Sequence, residues 1–72
     1  MRGNFFYKRL GQKIIEIRKS RNLSQEGLAL LSHIDRTYLA RLERGKGNPT
    51  VKTLYKLCRC MRIKIYELVE DL

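Results

Sequence analysis

Phe6, Leu10, Ile14 and Ile17 recur at steps of four and three near the start of the chain. That spacing lays one apolar stripe along a helix, so the pattern predicts a first helix over about 5–20, with Ile15 at the edge of the stripe. Asn22, just beyond it, suits the left-handed conformation that often closes a helix. Ser24 is an N-cap residue for a second helix over about 25–32. There Leu28, Leu31 and Ser32 are expected to point inward, Ala29 to let a neighbour approach, and Leu30 to look outward. Gly27 stands where an acid would complete a capping box, which weakens that helix start. Asp35 caps a third helix over about 36–44; Gly45 closes it, and Pro49 in the run KGNPT prevents its continuation. Thr50 caps a fourth helix over about 51–61, with Val51, Leu54, Leu57, Cys58 and Met61 as its stripe. Arg62-Ile63-Lys64 is a short connection to a fifth over about 65–72, where Ile65, Leu68, Val69 and Leu72 keep the i, i+3, i+4, i+7 spacing. Residues 1–4, polar and Gly-containing, are expected to be loose.

The pattern therefore predicts an all-α, compact five-helix fold, with a helix-turn-helix unit at about 25–44. A chain of 72 residues has room for one domain, 1–72, and one small core. A hydrophobic content of 43% argues against a disordered basic tail.

Charge changes the picture. The net charge is +9, and the acids Glu67, Glu70 and Asp71 all lie at the C-terminal end, so the first 66 residues are more basic still. Such a field draws polyanions, of which duplex DNA is the densest in a cell. On a wheel at 100° per residue, Leu39 and Leu42 of the third helix define a buried side. Arg36, Thr37, Ala40, Arg41 and Arg44 form a contiguous stripe almost opposite. Major-groove readout needs such a stripe: Arg can donate two bonds to guanine O6 and N7, and Thr can bond a base edge or meet a thymine methyl. Ala40 keeps the middle low, so the helix can approach bases closely, while Arg44 at the far end reaches phosphate more easily.

Other chemistries find little support. No Ser/His/Asp or Cys/His set and no glycine-rich phosphate loop can be assembled, so no enzyme is expected. Cys58 and Cys60 form C-x-C with His33 far off in sequence; that is too few ligands for zinc, and both thiols read as small, buried or half-buried side chains in a reducing compartment. No cofactor or small-molecule ligand is expected. MRGNFFYKRLGQK has no uninterrupted apolar region and no run approaches membrane-spanning length, so a cytoplasmic protein with no membrane partner is expected.

Residues of the central unit resemble the lambdoid phage repressor/Cro-type helix-turn-helix family, which includes the controller proteins of restriction–modification systems. Gln25 stands at the first position of the family's twenty-residue unit and Leu28-Ala29 at the fourth and fifth; Ile34, Leu39 and Leu42 fill later apolar positions. LERGKGNPT resembles the family's exit from its recognition helix, and TLYKLCRCMRI its next helix, in which alanine mostly stands where this chain has Cys58 and Cys60. Gly27 replaces a usual acid, and His33 stands where the turn often has Gly. The resemblance implies a bacterial or phage-encoded regulator. It places Arg36, Thr37 and Arg41 at base-facing positions. Gln25, Arg44, Lys46 and Asn48 match positions that grip the DNA backbone, and Arg18 and Glu43 match an ion pair between the first helix and the end of the recognition helix.

The expectation is a sequence-specific regulator of transcription that binds a palindromic operator in double-stranded DNA as a homodimer. Since one such domain covers about one half-site, two copies are needed. The stripe Ile65, Leu68, Val69 and Leu72 is the expected dimer contact, part of it also capping the core. An alternative is an antitoxin-type protein that holds a toxin through Leu30 and Phe5-Phe6-Tyr7, with DNA binding secondary. A weaker alternative, nonspecific binding driven by charge alone, requires no ordered stripe on the third helix.

Overall fold

The computed structural model describes the backbone from Gly3 and side chains from Phe5 to Leu72. Its helices are α1 (Gly3–Ser20), α2 (Gln25–Ser32), α3 (Arg36–Glu43), α4 (Val51–Met61) and α5 (Ile65–Val69), and no strand occurs among the described residues. The architecture is all-α, as the periodicity predicts. α1 packs on α3 and α5, α2 on α3 and α4, and α4 on α5.

Local chemistry accounts for the helix boundaries. The hydroxyl of Ser24 accepts from the Gly27 N–H, the Asp35 carboxylate from Tyr38 and the Thr50 hydroxyl from Thr53, each relieving one of the unpaired donors at a helix start. α1 to α4 end alike. Asn22, His33 and Arg62 (φ 59°, 59° and 62°) and Gly45 (φ 77°) take the left-handed conformation. The residues after them donate back five positions: Leu23 to Arg18 O, Ile34 to Ala29 O, Lys46 to Arg41 O and Ile63 to Cys58 O. This paired closure satisfies carbonyls that the helix leaves open. Asn22 and His33 behave as the sequence suggests; the same turn at Arg62 is not legible in it.

Three boundaries differ from expectation. α1 begins at Gly3, so Gly3 and Asn4 are helical rather than loose, anchored by Phe6 and Tyr7 half-buried against the core; the expectation for Met1 and Arg2 lies outside the described residues. α3 ends at Glu43, with Arg44 as its cap. α5 stops at Val69, because Glu70 turns extended and Asp71 left-handed (φ 68°). Basic side chains of α1 hold that turn: Lys13 donates to Glu70 O at 3.0 Å and Arg9 to Asp71 O at 2.8 Å.

The core is Leu10, Ile14, Leu28, Ala29, Leu39, Leu42, Leu54, Leu57, Cys58, Met61 and Leu68. Two expected inward residues are exposed. Leu31 is 56% exposed because Leu28, Ala29 and Ser32 centre the buried face of α2, leaving Leu31 on its flank beside the outward Leu30. The Ser32 hydroxyl donates to Leu28 O at 2.6 Å, so its burial leaves no orphan donor. Val51, 72% exposed, lies on the stripe of α4 but a turn before its neighbours begin to cover it. Leu68 is wholly buried in this core.

Candidate nucleic-acid interface

The site is built on α3, which is fixed from beneath. Leu39 and Leu42 anchor it in the core, half-buried Tyr38 packs beside them, and Asp35 holds its first turn. The opposite side is left to solvent. Arg36, Thr37, Arg41 and Arg44 are exposed and Ala40 is half-buried between them. Gln25, Arg36, Thr37, Ala40 and Arg44 line one open groove of about 220 Å³, between the start of α2 and the outer face of α3. Arg41 stands on the flank of that groove rather than in its wall. Lys46 and Asn48, both exposed, follow in the loop beyond α3.

The expected pair between Arg18 and Glu43 is present and bidentate. Arg18 Nε donates to Glu43 Oε2 at 2.7 Å and Nη2 to Oε1 at 3.1 Å, while Nη1 donates to Leu23 O at 2.9 Å. Both side chains are buried. Charge-assisted, two-pronged contacts of this kind fix orientation as well as energy. Here the pair locks the end of α3 to α1. It also removes the one acid of α3 from the outer face, so the charged side chains of α3 on that face are all cations.

Gln25 has a role the sequence does not reveal. Its Nε2 donates to Glu43 Oε1 at 2.9 Å, which makes it the third member of the buried network. One amide hydrogen is thereby engaged; the other, and the backbone N–H at the start of α2, remain as donors for an anion.

Two further residues shape the site. Gly11 lies where α1 crosses the end of α3: a Cβ there would stand 2.6 Å from Glu43 O, so only glycine allows this approach. A glycine inside a helical pattern is itself a sequence signal for close packing. Tyr7 donates its hydroxyl to Asn48 Oδ1 at 2.9 Å across 41 residues, a contact no local pattern signals. The apolar N-terminal segment is divided: Phe5 is exposed, but Phe6 and Tyr7 pack on the core.

The cysteines are free thiols, Cys58 buried and Cys60 partly so. Burial, with a smaller contribution from the nearby Glu67 carboxylate, pushes the Cys58 thiol from 9.0 up to about 11. Among the described residues no three His, Cys, Asp or Glu side chains are grouped to hold a metal ion, and no helix is long and apolar enough to cross a membrane.

A family model described as helix-turn-helix matches residues 14–68, which contain the core and the whole of this groove. The chain belongs to that family. As a helix-turn-helix protein it is a DNA-binding transcriptional regulator, not an enzyme. It is 39% identical over 62 residues to an HTH-type transcriptional regulator, y4dJ, of Sinorhizobium fredii, covering 86% of this chain and 80% of that protein. It is 37% identical over 65 residues to the control protein C.MunI of a Mycoplasma species, covering 89% and 88%. Its fold matches the crystal structure of the restriction-modification controller protein C.AhdI from Aeromonas hydrophila, with a TM-score of 0.84 and 39% identity over 86% of this chain and 94% of that one.

Proposed function

We propose that this helix-turn-helix protein binds a palindromic operator as a homodimer, with α3 in the major groove. Arg36, Thr37 and Arg41 read base edges, and Gln25, Arg44, Lys46 and Asn48 hold the phosphates. One observation carries the reading: Gln25, Arg36, Thr37, Ala40 and Arg44 converge on a single open groove beside a helix whose inner side is wholly buried. The low Ala40 between cations lets the helix axis come close to the bases, and arginine supplies the paired donors that guanine accepts. The similarity to control and restriction-modification controller proteins supports a regulatory role of the same kind.

For the twofold contact, Val69 at 36% exposed, with half-buried Ile65 and Leu72, is the available part of the α5 stripe. Leu68 belongs to the core and offers nothing to a second copy.

Selection of bound sites from random duplex DNA tests the reading; a palindromic consensus is the expected result. Arg36→Ala should then weaken binding to that consensus by about 1–3 kcal/mol and relax the preference at one base pair per half-site. Equal weakening on consensus and random duplex would make Arg36 a phosphate contact and remove it from base reading.

A further inference from the structure

The loop after α3 is held by residues of α1 that precede the segment matched to the helix-turn-helix family, residues 14–68. Tyr7 reaches Asn48, donating to Oδ1 at 2.9 Å. Gly45, at φ 77°, lies directly against Lys8: a Cβ there would stand 2.7 Å from Lys8 Cα and 2.8 Å from its Cγ. The stem of Lys8 therefore runs along the backbone that leads into Lys46, and Lys8 is exposed.

The bond from Tyr7 has a directional consequence. A carboxamide has an accepting end and a donating end, whereas phosphate oxygens only accept. Here Oδ1 of Asn48 accepts from the tyrosine hydroxyl, which leaves the NH₂ group as the end available to an acceptor. Left free, the same side chain would rotate and present either end. Arg44 and Lys46 flank Gly45, the residue that Lys8 lies against, and all three cations are exposed, while the neighbouring Glu43 is buried in its pair with Arg18.

From this geometry we infer that the start of α1 completes the grip on the DNA backbone. Lys8 contacts a phosphate directly, and Tyr7 is a positioning residue that holds the amide donors of Asn48 toward the same strand. The inference rests on the DNA-binding reading above and extends its footprint to residues outside the family segment.

The experiment measures binding of the whole chain and its variants to fluorescent duplexes, one carrying the selected consensus and one of random sequence, over a range of salt. Lys8→Ala should make the slope of log affinity against log salt shallower by about one unit per chain on both duplexes, as Lys46→Ala should. Tyr7→Phe keeps the ring that packs on the core and removes only the hydroxyl. It should weaken binding about three- to tenfold in the wild-type background and leave it unchanged in an Asn48→Ala background. A Tyr7 that merely supported the fold would cost the same in both backgrounds, and that result overturns its positioning role. A slope unchanged by Lys8→Ala but shifted by Lys46→Ala overturns the phosphate contact while leaving the DNA reading intact. Absence of salt-dependent binding by the wild-type chain to either duplex would overturn both.

Discussion

Single residues in this protein carry visible costs. His33 and Arg62 adopt left-handed backbone at helix ends where glycine sits without a Cβ penalty. Arg62→Gly removes that strain but adds freedom to the unfolded chain, so a net gain of about 0.5 kcal/mol is expected. Thermal unfolding should show it as a rise of a few degrees, and a fall would mean that the Arg62 side chain contributes more than its backbone costs. Glu43 lies at the other extreme. Glu43→Ala leaves the Arg18 guanidinium buried without its carboxylate, which should cost about 3–5 kcal/mol, and also frees Gln25 from its partner. Denaturant unfolding measures the loss; a change below about 1 kcal/mol, the range of exposed pairs, would show that water replaces the carboxylate. Cys58, held as a thiol until about pH 11, should resist alkylation near pH 8 while Cys60 reacts. Since its folded value lies above the unfolded 9.0, its contribution to stability is complete below pH 9 and disappears as pH rises toward 11.

At the scale of elements, α1 and α3 meet through backbone. Glycine inside a helix ordinarily weakens it by about 1 kcal/mol relative to alanine. At Gly11 the sign should reverse, because an added methyl would meet Leu42 O and Glu43 O. Gly11→Ala should destabilise by about 1–3 kcal/mol, as overpacked sites do, and by displacing the end of α3 should weaken DNA binding as well. A more stable variant would show that the helices separate freely. The elements themselves were largely legible: the five helices, the caps Ser24, Asp35 and Thr50, and the closing Gly45 all follow from periodicity and end chemistry. The errors fall where periodicity meets limited cover. Val51 and Leu31 have acceptable spacing but too little packed above them, and α5 ends early where Lys13 and Arg9 of α1 capture the carbonyls of Glu70 and Asp71 in the turn that follows it.

For the whole molecule, the apolar residues of α5 divide between core and surface. Leu68 completes the core; Val69, with the edges of Ile65 and Leu72, is left at the surface. A twofold contact sets the same patch against itself, so one acid placed there repels its own copy. Val69→Asp should therefore shift sedimentation toward monomer and weaken operator binding, with helicity retained. A dimer unaffected by the change would place the contact elsewhere, with exposed Phe5 the next candidate.

The sequence by itself determined what depends on neighbours along the chain. Helical period, capping residues and the opposition of Leu39 and Leu42 to Arg36, Thr37 and Arg41 are set within a few turns, where bonding and side-chain direction repeat regularly. Its resemblance to known regulators supplied the pairing of Arg18 with Glu43. Tertiary structure decided everything that joins distant segments: Gln25 drawn into the buried pair, Tyr7 bonded to Asn48, Gly11 as the crossing point, and Leu68 given to the core. Such contacts depend on how helices approach one another, and no local pattern encodes that distance.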